Sequence, residues 1–226
     1  PDYWELVSAG KESVDGLSAF DTSPEQTTQL DTGVVYAGAK LSASVSAFYS
    51  DVDDYILIQS GYPKGMRSVT VTRNVDARTW GGEADATYAL TTHWQLVGTL
   101  AYTRGENDTD DLPLAQMPPL ELRTGLNYAG AQWSAGLLWR AVADQDRYAL
   151  RQGNIVGQDL GPTGGFGVLS LNAAWRPTDG VLVSAGVDNL FDKTYAEHLS
   201  SSGAMVPGYE QTVRVNEPGR TLWLKV

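Results

Sequence analysis

The stretch VLVSAGVDNLFDKTYAEH, residues 181–198, decides the fold class because it begins as a strict alternation of apolar with small or polar residues. Successive side chains of a β-strand point to opposite sides. One face therefore carries Val181, Val183, Ala185 and Val187, and the other carries Ser184, Gly186 and Asp188. The pattern predicts a strand with one apolar face, and the same alternation recurs through most of the chain.

The composition of the 226 residues excludes several classes of protein. Cysteine is absent, which excludes disulfides, zinc–thiolate sites and thiol catalysis within this chain. No run approaches the roughly 18 apolar residues that a membrane helix needs, but barrel strands escape such a count because half of their residues face a polar lumen. The net charge of -11 argues against nucleic acid as a partner and favours cations.

Nine strand-like segments alternate with connections of two kinds. The short connections are 37–40, 91–93, 129–132 and 176–180, and the long ones are 1–24, 60–76, 104–118, 143–165 and 199–218. Because the two kinds alternate strictly, an up-and-down sheet would place all tight turns at one end and all long loops at the other, as in outer-membrane barrels. The predicted strands are 26–36, 41–58, 77–90, 94–104, 119–128, 133–142, 166–175, 181–195 and 219–226.

Tyrosine and tryptophan residues mark both ends of the apolar face. Such rings favour a boundary where the ring is buried and its polar tip is wet, and two girdles of them flank the lipid band of an outer-membrane barrel. The strand from Trp94 to Tyr102 spans about 26 Å, or roughly 20 Å vertically at a tilt of about 40°, which is comparable with the ~25 Å apolar band. We therefore expect an all-β, transmembrane, antiparallel barrel rather than a soluble sandwich. The expected membrane-interface residues are Tyr36, Tyr88, Trp94, Tyr128, Trp133 and Trp175 beside the tight turns, and Tyr49, Trp80, Tyr102 and Trp139 near the other end.

Nine strands cannot close a bacterial barrel, because single-chain bacterial barrels have even strand numbers. The chain ends on TLWLKV with Leu222, Leu224 and Val226 on one face, which is typical of a closing strand. We therefore expect the missing strands to precede Pro1.

Four motifs, in order along the chain, resemble those of TonB-dependent outer-membrane receptors. GVDNLFDKTY, residues 186–195, is similar to the V-x-N-L-F-D-x-x-Y signature of the penultimate strand of that family. GRTLWLKV from Gly219 looks like the start of the last strand, PDYWEL at 1–6 is similar to an outer-loop segment, and SPEQTTQLDTGVVY from Ser23 looks like the entry into the next strand. The signature residues matched here are Asn189, Leu190, Phe191, Asp192 and Tyr195.

This resemblance implies that residues 1–226 form the C-terminal portion of a receptor barrel in the bacterial outer membrane. It implies about nine strands of a roughly 22-stranded plugged barrel, with the plug domain, the earlier strands and the TonB-binding region outside this chain. The PDYWEL segment and the chain ending look most like the TonB-dependent copper receptors, so the imported nutrient is expected to be copper ion. The implied partners are the plug, TonB, and outer-membrane lipid and lipopolysaccharide; no catalytic residue and no resident cofactor are expected.

Candidate copper ligands are few, because soft or borderline ions prefer Cys, Met and His. The histidines are His93 and His198, and the methionines are Met66, Met117 and Met205. His93 is expected in a tight turn, and the other four in or beside long outer loops. His198 and Met205 are the outer-loop metal candidates, but no pair has a ligand spacing such as H-x-H or M-x-x-M, so an extracellular packing role is favoured over metal binding. The resemblance implies that the family's own copper ligands lie earlier in the chain.

Acidic residues crowd the segment RGENDTDDLP, residues 104–113. The glycine and the distal glutamate of a calcium EF-hand loop are missing, so a solvated or lipopolysaccharide-facing loop is expected. Glu197, His198 and Ser200 could suggest a hydrolase, but nothing orders a nucleophile, a base and an orienting group. The carboxylates of the acidic segment are Glu106, Asp108, Asp110 and Asp111.

Charged residues also occur in mid-strand on the polar face. In a barrel they would line the lumen, where we expect them to pair across strands or to hold the plug by hydrogen bonds. They are Glu83, Asp85, Glu121, Arg123, Arg140 and Arg176.

Three alternatives remain open from the sequence. A siderophore or cobalamin receptor of the same family would present an aromatic or basic pocket in its outer loops. A passive porin would need neither a plug nor the four motifs, and a soluble sandwich or an enzyme predicts extraction without detergent. The side chains that keep the first alternative open are Tyr62, Arg67, Arg73, Arg147, Tyr148 and Tyr209.

Overall fold

The computed structural model describes residues 22–203, 207–208 and 212–226, which form one antiparallel sheet of eleven strands. The PDYWEL segment, Met205 and Tyr209 lie outside the described residues. Nine of the strands are long, and two are only two residues each. The strands are β1 (Gln26–Ala37), β2 (Leu41–Lys64), β3 (Arg67–Ala89), β4 (Trp94–Asn107), β5 (Leu112–Pro113), β6 (Glu121–Ala129), β7 (Trp133–Val142), β8 (Gln152–Gly153), β9 (Phe166–Thr178), β10 (Val181–Asp188) and β11 (Thr221–Lys225).

Each long strand pairs with the next long strand along the chain, so the sheet has the order β1-β2-β3-β4-β6-β7-β9-β10-β11. The short strand β5 pairs with β4, and β8 pairs with β2. Strands β1 and β11 are the two edges of the described sheet, which is not closed. The up-and-down antiparallel architecture predicted from the alternation is confirmed. No helix in the described part of the chain is long and apolar enough to cross a membrane.

The predicted connection between β2 and β3 is wrong. The sequence predicts a long loop over 60–76, whereas both strands continue up to a tight turn at Gly65 and Met66. Gly65 has φ +63°, a conformation that glycine adopts without steric cost. Register shifts after Val52 and after Gln59 interrupt the alternation of β2. A period-two pattern in the sequence therefore does not predict this part of the hairpin.

The largest set of buried apolar residues lies in this extended hairpin and in the connections that pack on it. Ile56 and Leu57, on opposite faces of β2, are 2% and 0% exposed. β8, which belongs to the β7–β9 connection, pairs with β2 at this level. We call residues 53–76, 108–119 and 143–165 the outer layer. Its buried apolar residues are Ile56, Leu57, Val69, Val71, Val75, Leu114, Ala115 and Ala149.

The apolar face of the nine long strands is exposed. Leu30, Val34 and Leu222 are 70%, 73% and 78% exposed, and in the described residues no second sheet packs against them. A soluble sandwich would bury this face between two sheets, whereas a broad exposed apolar surface marks contact with lipid or a partner. The sandwich alternative therefore does not describe this chain.

The end of β10 also differs from the prediction. The sequence predicts a strand over 181–195, but β10 ends at Asp188. Asn189 and Asp192 then have φ +51° and +55°, which turns the chain out of the extended conformation. The polar and aromatic residues after Asp188 belong to a connection that folds back on the sheet.

Candidate functional site at the lumen face and the outer loops

Arg140 joins three segments of the chain on the polar face, which is the face predicted to line a barrel lumen. Its guanidinium donates to Glu121 on β6, with Nη2 2.6 Å from Oε2 and Nε 2.9 Å from Oε1. It also donates to Glu197 in the β10–β11 connection, with Nη2 3.1 Å from Oε2. Glu121 pairs in turn with Arg123. The cross-strand pairing predicted for the lumen charges is confirmed for Arg140 and Glu121.

A recess of about 330 Å³ lies beside this network. Glu83 and Asp85 line one side of it, and Glu121 and Arg123 line the other. Asp85 accepts a hydrogen bond from Oγ of Ser44 at 3.4 Å. One side of the recess presents carboxylates. The recess can therefore bind polar or cationic groups of a segment, such as a plug, that occupies the lumen.

Residues 193–198 fold back from the end of β10 and lie against the lumen face. We call this segment the strap. The ring of Tyr195 lies 4.2 Å, centroid to centroid, from that of Phe166 at the start of β9. Glu197 is fastened by its ion pair with Arg140. One apolar and one ionic contact therefore hold the strap to the barrel wall.

His198, an outer-loop metal candidate, is buried at the end of the strap. Its side chain is 0% exposed; Nδ1 lies 2.9 Å from Oγ1 of Thr163, and Nε2 lies 3.7 Å from Oδ1 of Asp159. Burial lowers the pKa of His198; the Asp159 carboxylate opposes this shift and the Arg214 guanidinium adds to it. The imidazole is therefore neutral at pH 7 and, in this arrangement, faces packed protein rather than an open mouth.

Asp159 and Arg214 tie the outer connections together around His198. Oδ1 of Asp159 accepts hydrogen bonds from the backbone N and Nε2 of Gln116 at 2.9 and 3.1 Å. Arg214 donates to the carbonyl oxygens of Gly161 at 2.6 Å and His198 at 3.1 Å. The β4–β6, β7–β9 and β10–β11 connections are thereby joined through buried polar groups.

The other candidate copper ligands that the structure describes lie in three different connections. Met66 is fully exposed at the β2–β3 turn, and His93 lies in the β3–β4 turn, as predicted. Sδ of Met117 lies 2.8 Å from the point where a Cβ on Gly105 would stand, so Met117 packs closely against β4. Among the described residues, no group of three or more His, Cys, Asp or Glu could hold a metal ion.

Three of the four carboxylates of the 104–113 segment, those of Glu106, Asp108 and Asp110, are paired with arginines. The Arg73 guanidinium is the main cause that holds the pKa of Asp110 below its usual range, with a further contribution from Asn107. These pairs hold the acidic segment against its neighbouring strands and connections. They also engage Arg73 and Arg147, two of the side chains that kept the siderophore-receptor alternative open. The remaining pairs are Asp108 with Arg78 at 3.1 Å, and Glu106 with Arg104 at 3.2 Å and with Arg147 at 2.8 Å.

The signature at the end of β10 clips the strap to the entry of β11. Nδ2 of Asn189 donates to the carbonyl oxygens of Lys193 at 2.8 Å and Pro218 at 3.3 Å, and Oδ1 accepts from the backbone N of Lys193 at 2.8 Å. Oδ1 of Asp192 accepts from the backbone N of Arg220 at 2.8 Å. The two polar signature residues thus fix the turn that brings the chain to the last strand.

The aromatic residues expected at the membrane borders lie on the apolar face. Trp133 and Trp175 stack with ring centroids 5.4 Å apart at the end with the tight turns. At the other end, Tyr49 lies directly opposite Trp80 in the β2–β3 register. Those at least 40% exposed are Tyr36, Tyr49, Tyr88, Trp94, Tyr102, Trp133, Trp139 and Trp175.

A comparison with protein families agrees with this architecture. The family described as TonB dependent receptor-like, beta-barrel, matches residues 1–190. The chain belongs to the TonB-dependent receptor family. Receptors of this family are outer-membrane transport proteins and not enzymes, so this TonB-dependent receptor chain is part of an integral outer-membrane β-barrel.

The receptor chain is similar to two solved structures of different substrate classes. Copper transporter OprC is 50% identical with a TM-score of 0.90, and the match covers 99% of this chain and 34% of that one. The ferric enterobactin receptor PfeA from Pseudomonas aeruginosa is 22% identical with a TM-score of 0.66, over 88% of this chain and 30% of that one. The likeness to PfeA shows the fold alone.

Two curated relatives are outer-membrane or receptor proteins by name. An iron-regulated outer membrane virulence protein of Vibrio cholerae serotype O1 is 26% identical over 90% of this chain and 31% of that protein. The pesticin receptor of Yersinia enterocolitica is 26% identical over 89% of this chain and 30% of that protein. The TonB-dependent receptor chain thus spans about a third of the length of these relatives.

Sequence reasoning missed the groups that fasten the outer loops of this receptor. Asp159 and Arg214 carry no spacing pattern, and they meet only because two distant connections fold together. The one available signal for the strap was that its residues, KTYAEH, contain the end of the family signature and continue directly from it.

Proposed function

We propose that this chain is the C-terminal part of the barrel of a TonB-dependent receptor that imports copper ion across the outer membrane. The observation that carries the proposal is the 50% identity with the copper transporter OprC over 99% of the chain. Relatives and solved structures whose names refer to iron or ferric enterobactin have 18% to 26% identity with this chain. The outer loops and the lumen face are both inside the region matched to OprC.

In this proposal the protein outside residues 1–226 supplies the plug domain and the earlier strands of a roughly 22-stranded barrel. TonB delivers energy through that outside region. The recess between Glu83 and Arg123 and the ion network at Arg140 would then face the plug. The charged groups of the recess and the network can make further hydrogen bonds, so they suit polar contacts with a plug rather than an apolar seal.

Capture of the ion is assigned mainly to groups outside the described residues. His198 makes its hydrogen bond within the fold, and Met66 stands alone at a turn. The outer layer of this chain would shape the mouth, while the net charge of -11 raises the local concentration of cations.

The two aromatic rows are proposed to mark the borders of the lipid band. Trp133 and Trp175 would lie at the inner border, and Tyr49 and Trp80 at the outer border, beneath lipopolysaccharide. The exposed apolar residues between the rows suit contact with acyl chains.

Copper uptake by cells that carry the full-length receptor tests this function. We expect copper accumulation, measured by elemental mass spectrometry under copper limitation, to rise in a receptor-deficient strain that regains the receptor, and to stay low when TonB is also deleted. Uptake of ferric enterobactin should not change. Siderophore uptake without copper uptake would favour the siderophore alternative, and copper uptake independent of TonB would favour a passive barrel.

A double variant tests the assignment of the ion site. Copper uptake per folded receptor should change little after His198→Ala combined with Met205→Ala, with Met66→Ala as a matched outer-loop control. A collapse of uptake in the double variant alone would place the ion site in this chain.

A further inference from the structure

A cavity of about 260 Å³ lies where the β4–β6, β7–β9 and β10–β11 connections meet. We call it the junction cavity. Its walls come from Gln116 of the first connection, Gly157 and Gln158 of the second, and residues 200–202 of the third. Pockets that hold drug-sized ligands occupy about 300–1,000 Å³, so the junction cavity suits a smaller molecule.

The lining of the junction cavity carries no charged side chain in the part of the chain that the structure describes. Two ionic residues are adjacent to it, because Asp159 follows Gln158 and Arg214 pairs with Ser202 through the backbone. Both are enclosed, at 1% and 7% exposure, and their charges are opposite. An ion that lost water in the cavity would meet no opposite charge, which is costly. The cavity therefore suits an uncharged ligand.

Amide and hydroxyl groups of the cavity are available for hydrogen bonds. Gln116 is fixed by the bond from its Nε2 to Asp159 at 3.1 Å, and its Oε1 stands 3.0 Å from the position of a Cβ on Gly157. The hydroxyls of residues 200–202 have no hydrogen-bond partner among the described residues. Copper prefers softer ligands than these oxygens, so they suit contacts with the outside of a metal complex rather than with the metal.

Apolar side chains border the same cavity. Val156 and Leu199, which both line it, are 86% and 47% exposed. A ligand that combined polar edges with alkyl groups would remove this apolar surface from water while it used the amide and hydroxyl groups. The ligand that fits is therefore small, uncharged, partly apolar and able both to donate and to accept hydrogen bonds.

We propose that the junction cavity binds an uncharged complex of copper(II) with two α-amino acids that carry small alkyl side chains. In such a complex two carboxylates balance the charge of the metal. Its amino groups would donate to Oε1 of Gln116, its carboxylate oxygens would accept from the serine hydroxyls, and its alkyl groups would lie against Val156 and Leu199. The complex binds whole, so no bond to copper is made or broken at this step. The inference rests on the proposed function, which makes copper the cargo, and adds a chemical form in which the cargo reaches the mouth.

Binding of such a complex by the purified full-length receptor tests this inference. The receptor is saturated with copper ion, freed of excess, and then titrated with bis(alaninato)copper(II) in excess alanine, so that any site for the bare ion is already filled. Equilibrium dialysis gives the affinity, and electron paramagnetic resonance with nitrogen-15 alanine shows whether the bound copper keeps its two alanine nitrogens. We expect them to be kept. The negatively charged complex of copper(II) with nitrilotriacetate should bind much more weakly.

Two variants of the cavity are compared with a matched control. Ser201→Leu fills the cavity, and Ser200→Ala combined with Ser201→Ala removes two hydroxyls without adding bulk; each should lower the affinity for the alanine complex about tenfold. Gly164→Leu should bind as the unchanged receptor does, because it adds a side chain in the β7–β9 connection where nothing lies within 4 Å of the added Cβ.

Three outcomes overturn the inference: equal affinity in the cavity variants and the control, bound copper that has lost its alanine nitrogens, or equal binding of the nitrilotriacetate complex. The assay measures binding and not uptake. A receptor that binds the alanine complex but imports no copper would therefore contradict the proposed function alone.

Discussion

The carboxylate of Glu197 in the strap accepts hydrogen bonds from the guanidinium of Arg140 on β7, with Nη2 3.1 Å from Oε2, across 57 positions of sequence. The same guanidinium is held from the other side by Glu121 on β6. The side chains of Arg140 and Glu121 are 21% and 19% exposed, so this pairing is partly shielded from solvent. One side chain thus couples the strap at the mouth to two strands of the barrel wall.

Replacement of Arg140 should release the strap. Arg140→Gln leaves Glu121 and Glu197 without their shared cation, so we expect the free energy of local opening at residues 193–198 to fall by about 2 kcal/mol, roughly a 30-fold rise in amide exchange. Hydrogen exchange with mass spectrometry on the full-length receptor measures this rise. Arg123→Gln is the matched control, because the Arg123 side chain is 54% exposed and pairs with Glu121 alone. Equal exchange in the two variants would contradict the clamp.

The loops around His198 should loosen in mild acid. Burial lowers the pKa of His198 in the folded protein, so the unfolded state binds a proton more readily than the folded state does. Stability from the neutral imidazole is therefore complete above the ordinary pKa of about 6.5 and is lost as the pH falls from there through the lower folded pKa. We expect protease cleavage of the β7–β9 connection to rise over this window.

A substitution distinguishes the effect of protonating His198 from the effect of protonating carboxylates. His198→Gln should remove the pH dependence of cleavage between about pH 6.5 and the onset of carboxylate protonation near pH 4. Asp110 contributes at a different pH, because Arg73 lowers its pKa and its stabilisation is lost only below the ordinary carboxyl range. An unchanged pH profile in His198→Gln would show that His198 does not control the loops.

The regular part of the fold could be predicted because lipid on one side and a polar lumen on the other impose a period of two. That environment ends near Val52 on β2. Beyond it the hairpin is packed on both faces, so Ile56 and Leu57 are buried in succession and alternation gives no signal. The sequence consequently predicted a loop over 60–76 where the structure has two strands.

The surroundings of the candidate site could not be predicted because they depend on contacts between distant loops. His198 was expected in an outer connection, which is where it lies, but its burial arises from Asp159 and Arg214. No spacing in the sequence relates these residues.

Close backbone packing should make Gly153 intolerant of a side chain. A Cβ there would lie 1.9 Å from the carbonyl oxygen of Gly157 and 2.7 Å from Cα of Gln158, so the turn that pairs Gly153 with Gln158 would have to open. We expect Gly153→Ala to cost about 1–3 kcal/mol of local stability, seen as faster amide exchange over 152–159. Gly164→Ala is the control in the same connection, because nothing lies within 4 Å of its added Cβ. Similar exchange in both variants would rule out the steric explanation.

The signature asparagine should matter for both its backbone and its side chain. Asn189 has φ +51°, and its amide makes hydrogen bonds to Lys193 and Pro218. Asn189→Gly removes those bonds but relieves the backbone, whereas Asn189→Ala also places an alanine in the left-handed region at a cost of about 1–2 kcal/mol. Chemical unfolding of the detergent-solubilised receptor, followed by gel mobility with and without heating, should therefore rank stability as unchanged receptor, then Asn189→Gly, then Asn189→Ala. Phe191→Ala, at a side chain 76% exposed, serves as the control within the signature. If Asn189→Ala unfolds at the same denaturant concentration as Phe191→Ala, the asparagine does not clip the strap to the last strand.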